Sequence, residues 1–254
     1  MVRGLDRFKA HFEGYEANYV LIGGTAASLA MDEAGLQFRA TADLDIVLCV
    51  EALDLDFVRK FWEFVQAGNY QNRQKSIRER QFYRFYDPED HRFPEMLELF
   101  SKRPDALAYE GEGHLTPIPM GEEVSSLSAI LLDESYYEFL HAGKQELDGL
   151  SVLGPEYIIP LKARAWLDLT ARKEQGDSVD SRDIKKHKND VFRLYLIVSQ
   201  DTRVEMSDQV IADMSRFVLA MAAETIDLRQ LGHRRGTPEQ VLENLRSIYG
   251  LAGK

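Results

Sequence analysis

Two aspartates stand two positions apart inside an apolar segment. Asp43 and Asp45 lie in the run DLDIVL, residues 43–48. If this run is a strand, both carboxylates project from one face, about 6–7 Å apart. Like charges at that distance repel, and a buried carboxylate is costly unless something neutralises it. The spacing therefore indicates a site for Mg²⁺, which binds a few carboxylates together with water and substrate phosphates.

A glycine pair precedes the aspartates at a point where the chain changes from strand to helix. Residues 19–22 (YVLI) are typical of a buried strand, which stops at Gly23 and Gly24. A helix is predicted over 25–34, and Gly35 is expected to end it. Such a turn lets backbone N–H groups and the positive end of a helix meet a phosphate, with Thr25 as N-cap or as a phosphate contact.

The glycines, the helix and the acidic strand form one pattern: GG-T, a helix, then R-x-T-x-D-L-D. This pattern resembles the first motif of the nucleotidyltransferase superfamily, in the form that AbiEii-type toxin proteins use. The resemblance implies transfer of a nucleoside monophosphate from an NTP to an acceptor hydroxyl, with Mg²⁺ as cofactor. It assigns nucleotide contacts to Gly23, Gly24, Thr25, Arg39 and Thr41. The alternative is an α/β domain with an exposed acidic strand end.

The resemblance also implies a third carboxylate on a neighbouring strand, and Glu98 in MLELF is the best match. Glu98 would be catalytic and a metal ligand beside Asp43 and Asp45. Many members carry Asp at this point. The alternative interpretation is a solvated Glu on an edge strand, since alternation alone produces such patterns.

Two later motifs resemble the same family more loosely. In the predicted helix 155–173, Lys162 is assigned to nucleotide phosphates, which it would meet as a point charge, and to catalysis. Arg182-Asp183 resembles the R-D motif of the following helix, capped by Asp180 or Ser181. By resemblance Asp183 is held near the lysine as a catalytic residue. Asp190 is a less favoured substitute.

The periodicity of the apolar residues and the Gly- and Pro-containing turns between segments predict an α/β (α+β) protein. It would consist of a nucleotidyltransferase-like mixed β-sheet domain over 1–153 followed by a helical region over 154–254. The helical region is expected to close the nucleotide site. Strands 80–87 and 95–101 form an antiparallel hairpin that brings Glu98 beside the first acidic strand. Further helices are predicted at 4–16, 54–67, 133–143, 181–199, 206–226 and 237–248, and 144–153 is typical of a hairpin. Thr237 and Gln240 are expected to form a capping box at the start of the last helix. Residues 102–124 are predicted to form a loop or a peripheral strand.

The net charge of −11 is unevenly distributed. Residues 1–150 carry 15 Lys and Arg against 27 Asp and Glu, a net charge of −12, whereas the remainder is near neutral. This balance argues against sequence-independent binding of nucleic acid over a wide surface. Two basic groups could hold an RNA end, or simply be solvated: Arg73, Lys75, Arg78, Arg80 and Arg84 among aromatics, and Arg182, Lys185, Lys186, Lys188 and Arg193 on one helix.

Several features predict a cytoplasmic protein. No apolar run reaches the roughly 18–20 residues of a membrane span, and the N-terminus lacks a signal-peptide core. Cys49 is the single cysteine and cannot form an intrachain disulfide.

Three functions stay open at this point. The leading one is an active, Mg²⁺-dependent nucleotidyltransferase with an RNA, protein or small-molecule acceptor, in the context of a toxin with a cognate antitoxin. The second is a catalytically inactive nucleotide- or partner-binding module of the same fold. The third is an antitoxin-like subunit that docks a partner protein.

Overall fold

The computed structural model describes residues 2–49, 52–72, 82–100 and 133–251. Within them the helices are α1 Leu5–His11, a 3₁₀ turn Glu16–Asn18, α2 Gly23–Glu33, α3 Leu55–Gly68, α4 Glu134–Ala142, α5 Pro155–Glu174, α6 Ser181–Tyr195, α7 Asp208–Met221 and α8 Pro238–Ile248. The strands are β1 Tyr19–Leu21, β2 Asp43–Leu48, β3 Gln71–Asn72, β4 Phe82–Tyr86, β5 Met96–Phe100, β6 Lys144–Leu147 and β7 Leu150–Leu153.

The strands form one mixed sheet in the order β3-β4-β5-β2-β1-β7-β6. Strands β2 and β5 are parallel, as are β1 and β7, and the other neighbours are antiparallel. The predicted fold class, a mixed α/β protein with helices after the sheet, is confirmed. The predicted hairpin is also confirmed, since β4 and β5 pair antiparallel and β5 lies beside β2.

An aromatic core covers one face of this sheet. Tyr19 and Leu48 are cross-strand partners, so their side chains share a face. Phe8 of α1 meets Tyr19 edge-on at 5.3 Å between ring centroids, and Phe61 of α3 packs 5.9 Å from Phe85. Residues one position along each strand point the other way. Asp43, Asp45 and Glu98 therefore project from the face opposite this core.

The chain divides into two compact units. The first takes the described residues of Met1–Val124 together with Lys144–Leu153, and the second takes those of Ser125–Gly143 together with Gly154–Lys254. The predicted division into a sheet domain over 1–153 and a helical region over 154–254 stays a prediction. Helix α4 lies in the second unit. Periodicity identified the helix but carries no information on which core it joins.

The ends of the helices follow capping chemistry. Thr237 and Gln240 form the predicted capping box at α8, and Asp180 caps α6 by accepting from Arg182 N. Gly35 ends α2 as predicted: its φ is 69°, and its N–H donates to Asp32 O.

Some predicted boundaries were wrong. The predicted helix 4–16 stops at His11, since Gly14 adopts a φ of 85°. Helix α2 begins at Gly23, two residues earlier than predicted. The segment 102–124, predicted as a loop or a peripheral strand, and the basic residues between 73 and 80 lie outside the described residues.

Candidate functional site

The acidic residues meet on two adjacent parallel strands. In the register of β2 and β5, Asp45 is the cross-strand partner of Glu98, and Asp43 is the partner of Met96. Neighbouring strands lie about 4.8 Å apart, so Asp45 and Glu98 are direct neighbours on one face. Asp45 is only 9% exposed and Glu98 only 6%, whereas Asp43 is partly exposed. The structure thus brings together all three predicted carboxylates of the sheet.

The glycine turn closes against the aspartates. Gly23 has a φ of 64°, and a Cβ built on it would lie 1.8 Å from Asp45 Oδ2. A Cβ on Gly24 would lie 2.7 Å from Thr41 Oγ1 and 3.4 Å from an Arg39 guanidinium nitrogen. The start of α2 therefore touches the acidic strand on one side and the Arg39–Thr41 segment on the other. Only glycine permits both approaches without displacing these groups.

Thr25 connects helix α2 to strand β2 through a hydrogen bond. Its hydroxyl donates to Asp43 O at 2.7 Å, and the residue is fully buried. It is the third residue of α2, so the predicted role as N-cap is wrong; no side chain caps this helix. Its predicted contact with the nucleotide stays a prediction. In this arrangement the hydroxyl fixes the position of Asp43 instead.

An arginine that the sequence analysis grouped with surface cations lies beside Glu98. Arg84 on β4 is the cross-strand partner of Glu98. Its Nη2 and Nε lie 2.6 Å and 2.8 Å from Glu98 Oε1. The signal was present in the sequence: counting outward from the turn around His91 pairs Arg84 with Glu98, and opposite charges at such positions stabilise a hairpin.

The three carboxylates of the sheet differ in how well they suit a hard cation such as Mg²⁺. Asp43 and Asp45 supply carboxylate oxygens on one strand face, which is the chemistry Mg²⁺ prefers. Glu98 Oε1 is already held by a guanidinium. Across the described ranges, no three His, Cys, Asp or Glu side chains are arranged to enclose a metal ion. The two aspartates therefore fit Mg²⁺ with phosphate and water as its remaining ligands, and Glu98 fits less well.

In the second unit, Lys162 has a different partner from the one implied by the family resemblance. Lys162 Nζ lies 3.5 Å from Asp190 Oδ2, and both side chains are buried. Arg193 lies 3.6 Å from the other oxygen of Asp190. Asp183 is exposed in the first turn of α6, seven residues earlier. Asp190, the less favoured substitute in the sequence analysis, thus lies beside Lys162; a catalytic role for Asp183 stays a prediction.

The second unit also contains a carboxylate that sequence reasoning did not single out. Asp213 of α7 is 1% exposed and accepts from the Tyr136 hydroxyl at 2.9 Å and from Gln209 at 3.1 Å. Arg164 and Arg216 lie 3.1 Å and 3.5 Å from its other oxygen. Burial, reinforced by the Asp213 charge, raises the pKa of Tyr136. This group links α4, α5 and α7.

Members of the second basic group are engaged in ion pairs rather than forming one open cationic face. Arg182 pairs with Asp180, Lys188 with Glu224, and Arg193 contacts Asp190. This arrangement favours the alternative in which these side chains serve the helices themselves.

Comparisons with known proteins give little beyond this geometry. The sequence matches no known protein family and no curated protein. Among solved structures, it is similar to an antigenic nucleotidyltransferase-like protein from Paracoccidioides brasiliensis, with a TM-score of 0.43 and 13% identity over 98% of this chain and 99% of that chain. A likeness at this level carries no argument about function. Within the described residues, no helix combines the length and apolar character of a membrane span.

Proposed function

We propose that this protein transfers a nucleoside monophosphate from an NTP to an acceptor hydroxyl. The observation that carries the proposal is the contact between the start of α2 and Asp45, where Gly23 leaves no room for a Cβ beside the carboxylate. Backbone N–H groups at a helix N-terminus bind phosphate, and paired carboxylates bind the cation that accompanies it. Both features within one turn and one strand match a metal–triphosphate complex.

Each residue around the turn has a distinct part in this proposal. Gly23 and Gly24 let the triphosphate approach the backbone. Arg39 and Thr41, which lie against Gly24, would contact phosphate oxygens at the rim. Thr25 holds α2 onto β2 through Asp43 O and so fixes the distance between phosphate and carboxylates. The roles that the family resemblance gives to Lys162 and Asp183 remain predictions from the sequence.

Asp43 and Asp45 are the residues that would hold Mg²⁺. When bound, the ion neutralises charge on the phosphoryl oxygens and on the leaving pyrophosphate. In the reaction, the acceptor oxygen forms a bond to the α-phosphorus, the bond to pyrophosphate breaks, and the acceptor hydroxyl loses its proton. The contribution of the chain is orientation, because a rigid helix start and a rigid strand hold both ends of the reacting group.

The biological setting is a finer proposal that rests on the motif R-x-T-x-D-L-D after GG-T. Its form resembles AbiEii-type toxins, which favours a cytoplasmic toxin with a cognate antitoxin. RNA or a protein hydroxyl would then be the acceptor. The acidic first 150 residues argue for an acceptor that presents one end to the site rather than a nucleic acid bound along a surface.

One observation favours a second candidate, a nucleotide-binding module without transfer activity. Glu98, the third carboxylate of the motif, is held by Arg84 at 2.6 Å. If transfer required Glu98 as a free ligand, the protein would bind NTP and release no pyrophosphate.

Label transfer from each α-³²P NTP to total cellular RNA and protein tests the proposal. We compare wild type with Asp43→Asn and Asp45→Asn, and use Asp56→Asn as a control. Asp56 is an exposed carboxylate of α3, paired with Arg59. We expect Mg²⁺-dependent label in wild type and the control, and a loss of about 100-fold or more in either aspartate variant.

Circular dichroism establishes that each variant is folded. Undiminished transfer by folded Asp45→Asn would refute the proposed site. NTP binding by wild type without pyrophosphate release from any acceptor would favour the inactive module.

A further inference from the structure

A row of partly exposed side chains extends away from the acidic site on the same face of the sheet. Asp43 on β2 is the cross-strand partner of Met96 on β5, and Met96 is the partner of Tyr86 on β4. Cross-strand partners project from one face, and all three residues are partly exposed. Adjacent residues on β4 and β5 point the other way, and there Phe85 and Leu97 are buried. Tyr86 and Met96 therefore present their side chains to solvent beside Asp43.

The side chains of this row suit a flat aromatic ligand. A tyrosine ring offers a face on which a nucleobase stacks, whichever base it is. A methionine side chain is flexible and polarizable, so it adapts to a ring that lies beside the tyrosine. On the other side of Tyr86, its cross-strand partner Gln71 on β3 is exposed, and the Gln71 amide has donors and an acceptor for the polar edge of a base. The row therefore fits an acceptor that carries a nucleobase better than it fits a serine or threonine side chain.

The row and the glycine turn lie on opposite sides of the aspartates. In the sheet, β2 has β5 and then β4 on one side, and β1 on the other. The glycine turn directly follows β1, and Gly23 approaches Asp45 from that side. Tyr86 ends β4, whereas Met96 and Asp43 begin their strands, so the row lies at the same end of the strands as the turn. The aspartates are thus flanked by the start of α2 and by the row.

This arrangement has the geometry that phosphoryl transfer requires. Under the proposed function, the glycine turn binds the triphosphate. The attacking and leaving oxygens lie roughly in line, on opposite sides of the reacting phosphorus. If pyrophosphate leaves on the side of the glycine turn, the acceptor hydroxyl enters from the side of the row. Tyr86 lies two strands from Asp43, about 10 Å away, which leaves room for a ribose between a base stacked on the ring and the reacting phosphate.

We propose that Tyr86, together with Met96 and Gln71, forms the acceptor subsite, and that the acceptor is a nucleoside hydroxyl whose base stacks on Tyr86. This inference rests on the proposed function and identifies an acceptor class for it. In the transfer, the ribose oxygen forms a bond to the α-phosphorus, pyrophosphate leaves with the electron pair of the broken bond, and the hydroxyl proton passes to water. The nucleoside belongs to a free nucleotide or to the end of an RNA, since both carry the same base and ribose.

Binding of two probes, in the absence of NTP and of divalent cations, tests the subsite directly. One probe is a short single-stranded RNA of random sequence with fluorescein at its 5′ end, followed by fluorescence anisotropy. The other is a mixture of the ribonucleoside 5′-monophosphates, followed by isothermal titration calorimetry. The same full chains are then assayed for label transfer from α-³²P NTP to each probe.

The variants separate the aromatic ring from the other groups of the row. Tyr86→Ala removes the ring, and Tyr86→Thr removes it while keeping a residue that favours a strand. Tyr86→Phe keeps the ring, and Gln71→Ala removes the amide. Tyr15→Ala is the matched control, because Tyr15 is also partly exposed but packs 5.9 Å from Phe57, outside the row. Circular dichroism verifies that each chain is folded.

Loss of the ring should weaken binding far more than loss of its hydroxyl. We expect Tyr86→Ala and Tyr86→Thr to lower the affinity for the bound probe about 10-fold or more, because base stacking is lost. Tyr86→Phe should stay within about threefold of wild type, and Gln71→Ala should lose about three- to fivefold with one polar contact. Tyr15→Ala should bind as wild type does. In the transfer assay, the KM for the acceptor should rise with loss of the ring, while the KM for NTP stays within about twofold.

The results separate the source of the acceptor from the validity of the subsite. Binding of the RNA alone identifies an RNA end, and equal binding of the monophosphates identifies a free nucleotide; either supports the subsite if it depends on Tyr86. The inference is overturned if wild type binds neither probe, or if the folded ring-less variants bind and use the acceptor as wild type does. Label transfer that is lost only in Asp45→Asn then shows that the proposed function stands. If wild type transfers no label although a probe binds through Tyr86, the proposed function is overturned and the acceptor role with it.

Discussion

Buried carboxylates occur in both units of this protein, but they are neutralised in different ways. In the second unit, Asp213 is surrounded by a tyrosine hydroxyl, an amide and two guanidinium groups. On the sheet of the first unit, Glu98 is held by the guanidinium of Arg84 on the next strand, and Asp45 lies against the backbone of Gly23. The partners of Asp213 come from three helices, whereas the sheet carboxylates adjoin the glycine turn at the start of α2.

Under the proposed function, this difference separates a structural carboxylate from a carboxylate that binds a ligand. Burying a negative charge is unfavourable unless paired donors or a cation offset it. The donors around Asp213 come from α4 and α5 as well as α7, so this residue holds helices together. On the sheet face, Asp45 and Glu98 lie side by side next to the start of α2, where the proposed function places a metal and phosphates.

The largest expected effect is on stability in the second unit. Asp213→Ala leaves the Tyr136 hydroxyl and the Arg164 guanidinium without their buried acceptor, and should lower the free energy of unfolding by about 3–5 kcal/mol. Asp45→Ala changes a strand residue of the proposed site and should lower that free energy by less than Asp213→Ala does. Urea denaturation of both variants measures the contrast. Equal losses would mean that Asp45 is as structural as Asp213.

The glycine turn can be tested with two matched substitutions. Gly23→Ala puts a methyl group onto Asp45 Oδ2 and should lower nucleotide transfer about 100-fold, because the carboxylate must move. Gly35→Ala imposes a similar backbone strain, at a φ of 69°, but a Cβ there meets nothing within 4 Å. We expect it to cost about 1 kcal/mol of stability with transfer retained. Similar transfer by the two variants would contradict a close-approach role for Gly23.

Thr25→Val tests the link between α2 and β2. The substitution preserves the shape of the side chain and removes the donor to Asp43 O. An unsatisfied buried carbonyl should cost about 1–3 kcal/mol of unfolding free energy. If Thr25 only positions Asp43, the apparent affinity for Mn²⁺ should fall less than in Asp43→Asn. A complete loss of NTP binding in a stable variant would indicate a direct contact instead.

The smallest effect concerns pH and the Asp213 group. Burial raises the pKa of Tyr136, so this phenol stays protonated in the folded protein while it ionises in the unfolded chain above about pH 10. The unfolded chain then binds fewer protons, and stability falls as pH rises. In Tyr136→Phe this decline should be shallower by up to about 1.4 kcal/mol per pH unit between pH 10 and 12. Parallel stability profiles for wild type and variant would contradict the assignment.

The sequence was most informative where short-range chemistry decides structure. The capping box at Thr237, the helix stop at Gly35 and the alternation around Asp43 and Asp45 are local patterns, and the structure contains each of them. Glu98 was placed beside Asp45 because a turn between two apolar runs fixes a hairpin.

Sequence reasoning missed the features that depend on contacts between residues far apart along the chain. Nothing local to Lys162 distinguishes Asp183 from Asp190, since both lie on the next helix and only packing selects one. Asp213 was overlooked because its partners lie as many as 77 residues away along the chain. The parallel pairing of β1 with β7 joins residues 21 and 152, which no periodicity encodes.

That last pairing has a consequence during protein synthesis. Strand β1 leaves the ribosome well before its neighbour β7, which is made more than a hundred residues later. Until Leu153 has emerged, one side of β1 is an open strand edge, with unpaired backbone groups that invite pairing with other chains. Any truncated or stalled nascent chain ending before β6 would carry this exposed edge. The β6–β7 hairpin covers the edge of β1 only once it has been made.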